Sequence, residues 1–223
     1  MKFHVFVDFD GTITLDDTTD LLLTRFADPY WRVIEEDWKA GRIGSRECMV
    51  RQIDLLRASE EELEEFIEEI DIDPGFSDFV RLCAEHGNEI TIVSDGLDRT
   101  IATVLRRVGL AIPYRANHLE YLGDSRWRLR FPHAKGDCRA LAGHCKCASL
   151  EAYPRVARIV VGDGRSDFCM AKQADLVLAK GALEAHCRQN GIPHQPFRDF
   201  TAATGILAEW LDQATAEAAA RGA

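Results

Sequence analysis

The chain opens on an apolar run, Val5-Phe6-Val7, which stops abruptly at two acids, Asp8 and Asp10, on either side of Phe9. The run predicts a buried strand whose tip carries acid. Strand side chains alternate faces, so Asp8 and Asp10 come out on the same side. Gly11 then lets the chain turn sharply away. Two carboxylates so placed repel each other unless a cation lies between them or one of them takes part in chemistry. The plain alternative is an acidic turn after an edge strand. Such a turn needs only one Asp, and this strand is too apolar for an edge.

Over residues 16–73 the rhythm changes to helical spacing. Leu21-Leu22-Leu23, Phe26, Trp31, Val33-Ile34 and Trp38 fall at such intervals, and Met49, Ile53 and Leu56 continue them from Ile43. Ser59 with Glu62 forms a capping box, opening a helix with Leu63, Phe66, Ile67 and Ile70 inward. Asp73-Pro74 predicts the start of a further helix with Pro at its first position. Its buried stripe is Phe76, Phe79, Val80 and Leu82, and Gly87 ends it.

The pattern then alternates strand and helix. Glu89–Gly96 reads as a strand ending in Ser94-Asp95-Gly96, and a helix through Ile101, Val104, Leu105 and Val108 follows. Residues 112–131 alternate around Gly123-Asp124-Ser125, which predicts a β-hairpin with arms at 117–120 and 127–130. Residues 132–147 read as a loop leading to a short helix at about 147–153. Arg158–Asp167 is a further strand ending in acid, and Asp175–Ala179 a further short strand. Helices are expected over 181–190 and 199–219. Strand–turn–helix grammar of this kind predicts an α/β fold with a parallel sheet.

Composition narrows the classes. The 223 residues are 46% hydrophobic, enough for one core domain with a smaller insertion. A net charge of −10 argues against nucleic acid as a partner. No apolar run is long enough to span a bilayer, and His4 and Asp8 interrupt the only N-terminal one. The odd set of seven cysteines then reads as reduced thiols in a cytoplasmic protein. A monomer or a homodimer is expected. No repeat or low-complexity linker is present.

Three strand tips thus carry ligand-type residues: Asp8 and Asp10, Ser94, then Asp163 and Asp167. In an open parallel sheet such tips converge near the topological switch point. Asp8-Phe9-Asp10-Gly11-Thr12 resembles the DxDGT signature of the haloacid dehalogenase superfamily of phosphatases. Ser94 and Gly162-Asp163-Gly164-Arg165-Ser166-Asp167 then match its second and fourth motifs in order. The resemblance covers nearly the whole chain. It implies a doubly wound, Rossmann-like core over 1–15 and 74–223, with residues 16–73 as a helical cap of the phosphoserine-phosphatase-like kind.

The resemblance also implies roles. Asp8 is the expected nucleophile, forming an aspartyl-phosphate, and Asp10 the general acid and then base. Ser94, Asp95 and Gly96 form the phosphate-binding turn. Asp95 departs from the Ser-Gly-Gly usual in phosphoserine phosphatases. Mg²⁺ is the implied cofactor, with Asp8, the Asp10 carbonyl, Asp163 and Asp167 as its oxygen ligands, or with Asp167 orienting water. The third motif is a single Lys that shields Asp8 from the phosphate. Lys135 and Lys146 are candidates, and Lys146 fits better because it begins a helix.

A second resemblance is narrower. The cysteine-rich loop ending in Cys145-Lys146-Cys147, with Asp17 and Gly191-Ile192-Pro193, is similar to a sub-branch of methionine-salvage and phosphoethanolamine/phosphocholine phosphatases. Asp17 and Arg51 are the expected substrate contacts, Arg51 standing where phosphoserine phosphatases hold a substrate carboxylate. Trp31 and Trp38 read as cap core. Cys138, His144, Cys145 and Cys147 with His133 leave zinc open as a minority reading, against which their spacing is not a paired CxxC.

The expected function is a Mg²⁺-dependent phosphomonoesterase acting on a small phosphorylated metabolite, with the methionine-salvage ester favoured. Phosphoserine hydrolysis or phosphotransfer to an alcohol is the alternative. A non-catalytic phosphometabolite sensor is the rival of another class, and a nucleophile at Asp8 would be superfluous in it. A dehalogenase would not need the metal carboxylates.

Overall fold

The structure, a computed structural model, describes residues 2–221. The run at the start forms β1 (Phe3–Val7). Four helices follow within residues 16–73: α1 (Thr18–Phe26), α2 (Trp31–Lys39), α3 (Ser45–Ile53) and α4 (Glu60–Glu68). Then come α5 (Phe76–Glu85), β2 (Glu89–Leu97), α6 (Asp98–Arg107) and the hairpin β3 (Tyr114–Gly123) with β4 (Arg126–Arg130). The chain ends with α7 (Lys146–Glu151), β5 (Ala157–Gly162), a 3₁₀ turn Arg165–Asp167, α8 (Phe168–Ala171), β6 (Leu176–Ala179), α9 (Gly181–Asn190), β7 (Gln195–Pro196) and α10 (Phe200–Arg221).

The strands form one seven-stranded sheet in the order β4-β3-β2-β1-β5-β6-β7. All pairings are parallel except the β3–β4 hairpin. The chain builds outward from β1 through β2, then crosses back to lay β5 on the other side of β1. The switch point of this doubly wound sheet therefore lies between β1 and β5.

Alternation along β1 decides what meets what. Phe3, Val5 and Val7 pack into the larger core with Phe79 of α5, Ile101 of α6 and Leu207 of α10. Phe6 faces the other way, onto Val93, Val160, Leu150 of α7 and Met170 of α8. Helices thus cover both faces of the sheet, as a parallel sheet requires. Asp8 continues the parity of Phe6, so it emerges on the side where α7 begins.

The four helices between β1 and α5 leave and rejoin the sheet at one neck, where Thr14 bridges Ile72 in antiparallel fashion. Inside them, the Ser59–Glu62 capping box forms as expected: Glu62 N–H donates to Ser59 Oγ at 3.1 Å, and Ser59 N–H to Glu62 Oε2 at 2.7 Å.

Three local expectations change. Pro74 does not open a helix, because the buried Asp73 carboxylate takes the Gly75 N–H (2.9 Å) and delays the first helical residue to Phe76. The same carboxylate takes the Phe200 N–H at the start of α10 (2.9 Å). The short helix after the loop begins at Lys146 itself and stops at Glu151. The two-residue β7 was not foreseen.

Candidate active site

The tips of β1, β2 and β5 and the start of α7 meet at the floor of a cleft of about 780 Å³. Its far wall comes from α1, α2 and α3. The Asp8 N–H still pairs with Val161 O (2.9 Å), so the first acid sits one step beyond the strand and is fixed by the sheet. Its Oδ1 accepts from the Phe9 N–H at 2.7 Å and from Lys146 Nζ at 2.7 Å. The same ammonium donates to Asp167 Oδ1 at 2.7 Å and to Ser166 Oγ at 2.8 Å. Lys146 is 2% exposed. Burial pulls its pKa down, but the Asp167 and Asp8 carboxylates outweigh burial and hold it raised, so the ammonium stays charged. Lys135, the other candidate, pairs with Glu151 on the surface at 3.2 Å.

Asp163 and Asp167 complete the floor. Thr12 Oγ1 donates to Asp163 Oδ1 at 2.7 Å, and the N–H groups of Asp163 and Gly164 donate to Asp167 Oδ2, each at 3.2 Å. Gly11 makes this approach possible. Its φ is +67°, and a Cβ there would lie 2.8 Å from Asp163 Oδ2. Burial pushes the Asp8 carboxyl well above its ordinary range, with Asp167 adding and Lys146 opposing. Burial also raises Asp163, against the Thr12 hydrogen bond.

Asp10 is turned elsewhere. Its Oδ1 accepts from the Thr18 N–H (3.1 Å) and from the Thr18 hydroxyl, and its Oδ2 from Ser94 Oγ at 3.2 Å. Burial raises its carboxyl above the ordinary value, and these hydrogen bonds pull the other way. The Gly96 N–H donates to Ser94 Oγ at 2.8 Å. A Cβ at Gly96 would lie 2.1 Å from Asp10 Oδ2, so only glycine fits.

The remaining expected residues divide. Asp17 caps α1, accepting from the Asp20 N–H at 3.0 Å, and it also lines the cleft. Desolvation in the cleft, then the Asp10 and Asp20 carboxylates, shift its carboxyl upward, a shift that its exposure to solvent moderates. Asp95 lines the cleft too, but its carboxylate is taken by protein donors rather than offered as a phosphate contact. Arg51 is not brought to the site. It lies on α3 beside Glu47 (3.6 Å) and Asp37 (3.9 Å), outside the residues that line the cleft. Thr12, Thr18, Ser166 and His144 were not singled out for the roles they fill. Only Thr12 carried a signal, its place in the pentad.

Asp8, Asp163 and Asp167 each offer a carboxylate oxygen within 4.8 Å of the others. The donors are all hard oxygens, and Lys146 leaves them with an excess of negative charge that burial makes costly. A divalent cation of the Mg²⁺ type fits that set. The Asp10 carboxylate is not in it. The zinc reading does not hold in the same way. Among the described residues no other set of three or more His, Cys, Asp or Glu is so gathered. His144, a proposed donor, is buried and engaged. Its Nδ1–H donates to Ser94 O (3.0 Å), while Nε2 accepts from Ser149 Oγ (2.8 Å), and burial drops its pKa to about 3.

Fold and site together define a doubly wound α/β enzyme with a carboxylate floor at its switch point. The model of the haloacid dehalogenase-like hydrolases matches residues 5–172, and the chain belongs to that family, as one of its phosphatases. It is 36% identical over 203 residues to the 2-hydroxy-3-keto-5-methylthiopentenyl-1-phosphate phosphatase of Geobacillus kaustophilus, covering 88% of this chain and 91% of that one. It is 34% identical to the protein of the same name from Exiguobacterium, covering 90% and 94%. Among solved structures, a substrate-bound phosphoserine phosphatase is similar in fold, with a TM-score of 0.66 at 21% identity over 83% of this chain and 90% of that one. A phosphoserine phosphohydrolase-like protein from Francisella tularensis gives 0.69 at 17% identity, over 92% and 99%. No helix of the described residues is long and apolar enough to cross a membrane.

Proposed function

We propose that this phosphatase hydrolyses 2-hydroxy-3-keto-5-methylthiopentenyl-1-phosphate through an aspartyl-phosphate on Asp8, with Mg²⁺ as cofactor. One observation carries the chemistry: Asp8 Oδ1 is committed to Lys146 and the Phe9 N–H, which leaves Oδ2 to attack phosphorus. Asp10, with its carboxyl raised by burial, holds the proton that the leaving alcohol takes as the ester P–O bond breaks. Asp10 then takes a proton from water, which attacks the phospho-Asp8 and releases phosphate. Ser94 turns its hydroxyl from Asp10 to a phosphoryl oxygen, and the charge of Lys146, fixed by Asp8, Asp167 and Ser166, offsets the negative charge of the phosphoryl group through both steps. Asp8, Asp163 and Asp167 would hold the Mg²⁺, whose charge would be supplied to the phosphate oxygens.

Residues 16–73 serve as a cap that closes over the substrate and excludes bulk water. The ester itself is inferred from the curated relatives. The cleft supports it, because Trp38, Ile43, Met49 and Leu141 line an apolar side suited to a methylthio end.

The test is phosphate release from a panel of small esters, with Mg²⁺ and with EDTA. The panel holds the methionine-salvage ester, phosphoserine, phosphoethanolamine and phosphocholine. Mg²⁺-dependent preference for the first is expected. Preference for phosphoserine would overturn the substrate, and no release from any ester would overturn the chemistry.

A further inference from the structure

Asp95 follows Ser94 at the edge of the cleft, and its carboxylate receives donors from three separate parts of the chain. Oδ2 accepts from the Ser45 hydroxyl at the start of α3, at 2.6 Å. Oδ1 accepts from the His144 N–H at 2.8 Å and from Asn117 Nδ2 at 3.1 Å. The His144 ring reaches back to the Ser94 carbonyl, so the loop and the phosphate-binding turn are tied together. The next residue of α3 strengthens the junction. The Arg46 N–H donates to Leu141 O at 3.0 Å, and its guanidinium to Ala142 O at 3.0 and 3.3 Å. Leu141 is held at φ 48°, a left-handed conformation uncommon for leucine. The first turn of α3 is thus fastened to the β2 tip and the 141–144 loop.

A carboxylate next to a phosphate site opposes phosphate unless its charge is taken up. With Ser45 seated, Oδ2 is directed into a hydroxyl donor. With α3 lifted away, Oδ2 loses that donor, and the carboxylate, held then only through Oδ1 by His144 and Asn117, presents more of its negative charge to the cleft. Phosphate therefore has a higher affinity for the closed arrangement than for the open one, and a ligand shifts an equilibrium by that difference. We propose that Asp95 is a positioning residue and Ser45 its latch, so that closing the cap and binding phosphate are a single coupled event.

The inference rests on the phosphatase reading and the cap, not on which ester is hydrolysed, so inorganic phosphate is the probe. Its affinity for the full chain with Mg²⁺ is measured by calorimetry for wild type, Ser45→Ala, Asp95→Asn and the double variant. KM and kcat for an aryl phosphate are measured alongside. Ser45→Ala is expected to weaken phosphate about tenfold and to raise KM equally, with kcat within about twofold, because one hydrogen bond to a charged group is removed. Ser45→Thr restores both. In the D95N background, S45A changes phosphate affinity by less than about twofold, because no charge remains to be capped. An equal effect in both backgrounds, or none in wild type, overturns the latch. Absence of phosphate binding by wild type overturns the latch when the aryl phosphate is still hydrolysed, and absence of both binding and hydrolysis overturns the phosphatase reading. Thermal unfolding separates a latch from a folding defect. If Ser45→Ala does not fold, Ser45→Cys, a weaker donor of similar size, carries the same comparison.

Discussion

Replacing Lys146 with Met removes the ammonium that joins Asp8 and Asp167 while keeping most of the side chain's length. In the wild type, Nζ lies 2.7 Å from Asp8 Oδ1 and 2.7 Å from Asp167 Oδ1, with the side chain 1% exposed. At an effective dielectric of about 20, each contact represents about 6 kcal/mol of gross attraction. Desolvation of the ions offsets most of it. Removing one partner of a buried pair leaves a net loss of about 3–5 kcal/mol. For a chain of this size that lowers the thermal midpoint by about 6–20 °C. The pH dependence carries the diagnosis. Asp8 and Asp163 have folded-state pKa values above their ordinary ones. Such carboxyls contribute their full stability below the unfolded pKa and lose it as pH rises through the folded one. Lys146 opposes the rise at both, so without it they climb further. Its own raised pKa keeps its contribution present until strongly alkaline pH. The deficit of Lys146→Met is therefore small near pH 4 and grows through neutrality. Urea unfolding in EDTA, followed by tryptophan fluorescence at about pH 5 and pH 8, measures it. A deficit below about 1 kcal/mol at pH 8, or one equal at both values, refutes the argument.

Further outcomes follow from the same geometry. Asp8→Asn is expected to abolish phosphate release while circular dichroism and the unfolding transition persist, and substantial remaining turnover would remove Asp8 as nucleophile. Gly96→Ala forces its Cβ against Asp10 Oδ2 and Ser94 Oγ. Its kcat falls by about a hundredfold or more, since misplacement of about an ångström has that effect, and unchanged kcat would show that the turn has room to yield. EDTA should stop turnover and lower the thermal midpoint, with Mg²⁺ restoring both. A midpoint insensitive to either would count against a cation among the three carboxylates.

Much of the scaffold was legible because it depends on local pattern. The buried strand before Asp8, the Ser59 box, the hairpin and the helix over 181–190 all follow from periodicity and turn residues. Lys146 could be preferred over Lys135 because a helix start points its first residues at a strand tip, whereas Lys135 finds Glu151 on the surface. What stayed hidden are partners far apart in sequence. Nothing near Asp95 announces Ser45, His144 or Asn117. Nothing near Asp73 announces Phe200, and that carboxylate is what displaced the helix start from Pro74. Arg51 failed for a related reason. Its position in the chain suggested the cleft, but the neighbouring Asp37 and Glu47 supply nearer anions on the helix surface.

The place of β1 in the sheet also sets when the site can exist. β1 is made well before one of its two neighbours, β5, where Phe3–Val7 pair with Ala157–Val161. Until that late segment has been synthesised, the central strand has an open edge and Asp8 has neither Lys146 nor Asp163 beside it. A contact of such long sequence range is slow to close and leaves an apolar edge uncovered meanwhile. The central strand of the growing chain therefore stays open to misassociation until β5 has been made, and the site cannot assemble before then.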